Sequence, residues 1–300
     1  MDCDVAIVGG GVIGLAIADA LLRHHADARV VVLDKESTLG VHASGRNSGV
    51  IHAGFYYSPD SLKARLTRRG NQLLHDFCDE RGIAVRRTGK VVVTTQASQV
   101  GALQELHDRA RANGVSTELV DEQQLRELEP LARTVGQALW SPTTSVAAPR
   151  EVVTALASRV RERGGLVHLA STVTAGGPGL LTVNSTRVHA RHIVNAAGLQ
   201  ADRVARWFGM CDDYVMLPFV GLYWRGSWAP GRLRRQVYPV PDPRNPFLGV
   251  HATVTVDGTV KIGPTAIPGL WREQPSVRDL GDLPHDRPTG AGAGAVHRRA

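Results

Sequence analysis

Gly9, Gly11 and Gly14 form a Gly-x-Gly-x-x-Gly turn, and Asp34 follows about 20 residues later, the spacing of a dinucleotide fingerprint. The chemistry on offer is recognition of a pyrophosphate and a ribose. The first glycine permits a sharp turn, the second lets backbone approach the phosphates, and the third lets a helix pack closely on a strand. A helix that starts there presents its N-terminal N–H groups and positive dipole end to the anion. An acid at position 34 accepts hydrogen bonds from a free ribose 2′-hydroxyl and repels a 2′-phosphate. The ligand is therefore an FAD- or NAD-type adenosine, not NADP. A purely structural glycine turn explains less, because strand, helix and acid all stand where a nucleotide needs them.

Those residues need elements to hold them. Val5 to Val8 form an apolar run without alternation, as in a parallel strand buried on both faces. A helix is expected from about Val12 to His24, then a strand from Val30 to Leu33 that ends at Asp34. The next stretch, LGVHASGRNSGVIHAGFYYSPDSLKARL, is rich in Gly, Ser, Asn and His and reads as backbone held against a ligand. From Ser61 to Arg81 the spacing predicts a helix with Leu62, Leu66, Leu73, Leu74 and Phe77 on one apolar face. Val85 to Thr95 reads as one or two strands broken at Thr88-Gly89. Further helices are expected over Ser98 to Asn113, with Val100, Leu103, Leu106 and Ala110 inward, over Asp121 to Leu128, and over Pro149 to Arg163. Strands are expected at Ala138 to Trp140, Leu166 to Val173, Leu181 to Val188 and His192 to Ala197. The last ends at Gly198, as a doubly wound domain offers near its ligand crevice. Tyr214 to Ile262 reads as mostly antiparallel strands with a hairpin at Asp257-Gly258. From Gln274 onward the chain lacks apolar periodicity and is expected to be disordered.

Composition narrows the class. The 300 residues, 43% hydrophobic and 21% charged, suit one large or two intertwined globular domains. No apolar run approaches the roughly 20 residues of a membrane span. The chain enters its first strand without a basic leader, so no secretory signal is expected. Cys3, Cys78 and Cys211 are odd in number and widely spaced, which fits neither a disulfide framework nor a zinc site. A reducing cytoplasm is the expected compartment, and no metal is expected. The net charge is +7, but the arginines are scattered among acids with no aromatic-interleaved stripe. That describes a solvated surface attracted to anionic substrates or an anionic membrane face, not a nucleic-acid binder.

Three segments carry a family resemblance: VAIVGGGVIGLAIADAL with VVVLDKE; SGRNSGVIHAGFYYSPDSLKA; and VNAAGLQAD with VYPVPDPRNPFLGVHATVTVDGTVKIGPTA. With these the chain resembles the FAD-dependent oxidoreductases of the D-amino-acid-oxidase type. Within them it is most similar to the L-2-hydroxyglutarate oxidases and dehydrogenases. The resemblance implies an α/β fold: a Rossmann-like FAD-binding domain of the glutathione-reductase type, plus a second domain built on an antiparallel sheet. It implies FAD-binding pieces at 1–84 and 146–213 and substrate pieces at 85–145 and 214–273. It places Gly9, Gly11, Gly14, Asp34 and Lys35 on the ADP half, with Ser44, Asn47 and Ser48 along the pyrophosphate and flavin. Val173 is expected at the adenine and Ala197-Gly198 beside the nucleotide. The family's usual Pro-Phe-Arg-Gly-Glu is here Pro218-Phe219-Val220-Gly221-Leu222. The resemblance also implies about a hundred further residues beyond this end, carrying a last flavin-domain strand and helix, so the chain reads as shortened.

The implied reaction oxidises a 2-hydroxy acid: hydride leaves Cα for the flavin while a base takes the hydroxyl proton, with oxygen or a quinone as final acceptor. Histidine is the natural base near neutral pH. His52 in the small-residue loop and His251 on a strand are the candidates, with Tyr57 as a catalytic helper. Tyr56, Arg244 and Lys261 are candidates for the substrate's oxygens and carboxylates. Alternatives are an amine or sarcosine-type oxidase, a relative of glycerol-3-phosphate dehydrogenase, and a shortened remnant without catalysis.

Overall fold

A computed structural model describes residues 1–226, 228–229, 231–242, 249–269 and 272–273. The segment expected to be disordered, 274–300, and Arg244 lie outside the described residues.

In chain order the elements are β1 (Asp2–Val8), α1 (Val12–His24), β2 (Val30–Leu33), β3 (Val50–Ile51), α2 (Leu62–Arg81), β4 (Val85–Arg86), β5 (Lys90–Val93), α3 (Val100–Ala112), β6 (Glu118–Asp121), α4 (Glu122–Leu128), β7 (Gln137–Ser141), β8 (Ser145–Ala147) and α5 (Pro149–Glu162). Then come β9 (Leu166–His168), β10 (Val173–Gly177), β11 (Leu180–Val183), β12 (Thr186–Asn195), α6 (Ala201–Arg206), β13 (Phe219–Val220), β14 (Trp224–Arg225), β15 (Gln236–Pro239), β16 (His251–Val254), β17 (Val260–Gly263) and β18 (Ile267–Pro268).

The first large sheet runs β10-β11-β12-β1-β2-β9, with β12, β1, β2 and β9 parallel. Its central strands are continuously apolar, β1 over Val5–Val8 and β2 over Val30–Leu33, because both of their faces are covered. Val5, Ile7, Val30 and Val32 face α1 and α5, packing on Leu15, Ala18, Leu22, Val153 and Leu156. Ala6, Val8, Val31 and Leu33 face the other way, onto Leu181, Val183, Val188 and Val204. Between the helices, Asp19 of α1 is buried but paired with Arg159 at 2.7 Å and Arg163 at 3.0 Å, so its charge is compensated.

The second large sheet runs β14-β17-β16-β15-β5-β7-β6 and is antiparallel except for the β15–β5 pair. The β16–β17 hairpin turns at Asp257-Gly258, with Gly258 at φ +82°. A three-stranded sheet, β3-β8-β4, is formed by segments flanking the two larger sheets in sequence.

Three expectations fail locally. Of the expected apolar face of α2, Phe77 is buried and Leu74 packs on the core, but Leu62, Leu66 and Leu73 are exposed, and the helix also buries Ala64, His75 and Cys78. The exposed leucines and Ala64, His75 and Cys78 share one helical period, and tertiary packing decided which side of it was covered. The expected strand Leu166 to Val173 is interrupted after His168: Ala170 and Ser171 donate their N–H groups to Glu36 and Asp34 carbonyls, and a new strand starts at Val173. Leu181 to Val188 is broken by Asn184 and Ser185, both at positive φ, the geometry of a tight hairpin turn. The expected strand at His192 to Ala197 is the far end of the long β12.

Candidate functional site

Two regions carry the candidate residues. The first is the turn between β1 and α1. Gly9 sits at φ +109°, and a Cβ there would lie 2.3 Å from the Ala196 carbonyl oxygen. A Cβ on Gly14 would lie 2.0 Å from the Gly9 carbonyl oxygen, so helix meets strand only through glycine. The first turn of α1 holds no acid, and its Val12 N–H donates to Ser44 Oγ at 3.0 Å. The serine hydroxyl keeps its own proton for an incoming anion.

Asp34 faces this turn. Its Oδ2 accepts from the Gly10 N–H at 2.7 Å and its Oδ1 from the Glu36 N–H at 2.8 Å. Each carboxylate oxygen retains a lone pair for a ribose hydroxyl. Ala196 and Ala197 close the turn from the β12 side. Val173 begins a strand two residues after Ser171, whose N–H donates to the Asp34 carbonyl. A bare glycine turn, an acid-free helix start and an inward-facing acid fit the nucleotide half of FAD.

Other expected contacts are committed within the protein. Asn47 Nδ2 donates to the Ala43 and Ser44 carbonyls and its Oδ1 accepts from Gly49, so it shapes the loop. Lys35 Nζ reaches Glu36 Oε1 at 2.5 Å, Glu273 Oε2 at 2.7 Å and His42 Nε2 at 3.2 Å. Glu36, His42 and Glu273 converge as metal ligands would, but the Lys35 ammonium already supplies the cation.

The second region is a cavity of about 390 Å³ between the small-residue loop and the antiparallel sheet. Ser48 and His52 line one side; Tyr223, Tyr238, His251 and Thr265 line the other, with Phe219 and Gly221. His52 and His251 lie about 200 positions apart in sequence, and the tertiary structure brings both to one cavity. The His251 ring lies on Tyr238, centroids 3.8 Å apart. Its Nδ1 is 2.8 Å from the Gly249 carbonyl, so Nδ1 carries the proton and Nε2 is the free acceptor. Burial holds the pKa of His251 down, partly offset by that carbonyl. His52 is pushed down to about 3, first by burial, then by Lys90 and His251. Both histidines are therefore neutral at pH 7.

Tyr57 lies under Lys63, 5.1 Å from ring centroid to Nζ, and does not line the cavity. Tyr56 also stands behind the lining, its hydroxyl buried without a hydrogen-bond partner among the described residues. Lys261 sits along β17 opposite Arg225, outside the lining. Sequence reasoning missed Lys90, Tyr223 and Tyr238. Lys90 had a signal: a lysine heading the apolar run KVVV on an interior strand.

A parallel nucleotide sheet with a glycine turn, joined to an antiparallel sheet over a histidine-lined cavity, defines a two-part dinucleotide-binding α/β protein. The chain belongs to the FAD dependent oxidoreductase family, which it matches over residues 4–290. It is 38% identical over 283 residues to the L-2-hydroxyglutarate dehydrogenase of Salmonella houtenae, covering 92% of this chain and 67% of that one. It is 35% identical over 290 residues to the mitochondrial L-2-hydroxyglutarate dehydrogenase of Homo sapiens, covering 90% of this chain and 62% of that one. Among solved structures, FAD-bound L-α-glycerophosphate oxidase from Mycoplasma pneumoniae superposes with a TM-score of 0.80 at 25% identity, over 90% of this chain and 73% of that one. Glycine oxidase from Geobacillus kaustophilus superposes with a TM-score of 0.75 at 23% identity, over 94% and 76% of the two chains, and shares the fold.

Proposed function

We propose that the chain is an FAD-dependent oxidoreductase that oxidises L-2-hydroxyglutarate to 2-oxoglutarate. The observation that carries this reading is the cavity that brings neutral His52 and His251 together with the Tyr223 and Tyr238 side chains, in a chain 38% identical to an L-2-hydroxyglutarate dehydrogenase. Residues 1–84 and 146–213 form the cofactor half, and 85–145 and 214–273 the substrate half. Gly9, Gly11, Gly14, Asp34 and Ser44 hold the nucleotide. Bound FAD supplies the hydride acceptor.

The protein's own residues do the rest. His52 or His251 takes the hydroxyl proton, and the tyrosines orient the substrate oxygens. Oxygen or a quinone takes the electrons onward. No helix among the described residues is long and apolar enough to cross a membrane. The exposed Leu62, Leu66 and Leu73, set beside exposed Lys63, Arg65 and Arg69 on α2, support peripheral contact with an anionic membrane face.

Protein incubated with FAD should be yellow, and its absorbance should bleach on anaerobic addition of L-2-hydroxyglutarate. Failure to take up FAD, or a yellow protein that this substrate leaves unbleached, overturns the reading. A second reading has its own observation. Val220 and Leu222 flank Gly221, which lines the cavity, where the family pattern has arginine and glutamate. Their loss favours another donor, so glycerol 3-phosphate and sarcosine belong in the same bleaching panel.

A further inference from the structure

Lys90 is fully buried at the start of β5. Its Nζ lies 3.3 Å from His52 Nδ1 and within 4.1 Å of the Tyr238 ring centroid, 4.9 Å of Tyr56 and 5.4 Å of Phe55. The titratable groups facing it are His52 and Tyr56 from the loop, Tyr238 from β15 and His251 from β16. Its register partner on β7, Ser141, carries no charge. No carboxylate among the described residues pairs with it. A lysine buried without an anion is costly to a fold, and such groups concentrate at functional sites.

The geometry points to a two-residue proton relay in which His52 takes the substrate's hydroxyl proton and hands one of its own to Lys90. This rests on the proposed 2-hydroxy-acid oxidation. An ammonium only donates hydrogen bonds. A charged Lys90 would donate to His52 Nδ1, leaving Nε2 with a hydrogen and no basic lone pair. A neutral Lys90 accepts from Nδ1–H instead, and Nε2, the nitrogen left for the cavity, becomes the base. When the substrate O–H bond breaks, a new bond forms at Nε2; the Nδ1–H bond breaks and a new one forms at Nζ. His52 ends neutral in its other tautomer and Lys90 ends as an ammonium, while the hydride leaves Cα for the flavin.

The surroundings suit both ends of that transfer. Burial alone brings Lys90 down to about 7, so its amine is substantially neutral at rest. His52 by itself, pushed down to about 3, is too weak a base to keep the proton. Three ring faces then stabilise the ammonium through their quadrupoles, as a carboxylate would, without fixing the charge permanently.

The test follows the His52 tautomer. In the full chain labelled with 15N-histidine, with the His52 signals assigned by their loss in His52→Gln, Nδ1 should carry the hydrogen at high pH and Nε2 at low pH. The midpoint should lie near 7. Lys90→Met should abolish the exchange. A single His52 tautomer from about pH 6 to about pH 9 overturns the relay without any variant. In the FAD-loaded protein, the bleaching rate with L-2-hydroxyglutarate should rise with pH through about 7. Lys90→Met should lower it ~100-fold and flatten that limb while FAD absorbance is retained. A Lys90→Met protein with an unchanged pH limb also overturns the relay. Absence of bleaching at every pH in the parent protein overturns the substrate reading instead, and the tautomer measurement still judges the relay.

Discussion

The nucleotide turn and the histidine cavity are built on opposite plans. The turn is made of backbone: four glycines within six residues, a helix start, and one carboxylate that anchors on Gly10 and Glu36 N–H groups. The cavity is made of side chains from the 48–57 loop, β15, β16 and the 219–223 and 264–266 segments, with Lys90 of β5 behind it. At Gly9 and Gly14 of the turn an added Cβ would run into backbone oxygen. The cavity holds groups whose charge states depend on one another. A site that binds by shape tolerates no added atom; a site that moves protons accepts substitution but changes its pH response.

Variants can break that contrast or sharpen it. Gly14→Ala should have the largest effect, because its Cβ would sit 2.0 Å from the Gly9 carbonyl oxygen, in backbone that cannot rotate away. Loss of FAD binding and a fall in thermal midpoint should appear together; a stable variant that titrates with FAD normally breaks the comparison. Asp34→Ala should come next. It removes acceptors for two N–H groups and for the ribose, and FAD affinity, followed by flavin fluorescence, should drop at least ~10-fold.

Lys90→Met separates the two regions. Burial lowers Lys90 from 10.5 to about 7, so the folded state disfavours the ammonium. Between about 7 and 10.5 the unfolded chain binds the proton that the folded chain releases, and the stability of the parent rises with pH across that window. The penalty is complete below about 7 and gone above about 10.5. The methionine variant should therefore be more stable than the parent at pH 6 to 7, with the difference closing toward the alkaline end, measured by urea unfolding. Equal stability at neutral pH would remove the reason to regard Lys90 as a functional burden. Leu66→Ser should do least: the side chain is 57% exposed on α2, and stability should stay within about 0.5 kcal/mol with FAD uptake unaltered.

The two plans also explain what sequence reasoning reached. The turn from Val5 to Asp34 was legible because its parts are consecutive and each glycine has a steric reason. The strand limits there, Val30–Leu33, agree with expectation. Further on, α2 shows the limit of periodicity: Leu74 and Phe77 of the expected stripe reach the core, while Leu62, Leu66 and Leu73 stay exposed and Ala64, His75 and Cys78 are buried. The β11–β12 turn was overlooked although Asn184 is a residue type that accepts positive φ. His52 and His251 were named from residue type and resemblance, while Lys90 was passed over inside KVVV, where one charge among valines reads as a strand boundary.

The amino-acid order alone determined the nucleotide-binding unit and an FAD- or NAD-type adenosine, because close-range steric and capping rules act between neighbours in the chain; FAD and the family followed from the resemblance of three segments. Only the tertiary structure decided that Lys90 meets His52, that His251 shares its cavity, and that Tyr57 and Lys261 stand outside it. Those relations depend on the register of β5 against β15 and of β15 against β16. The β5–β15 pairing joins residues more than a hundred positions apart, and a shift of one residue in either pairing would turn every side chain to the opposite face.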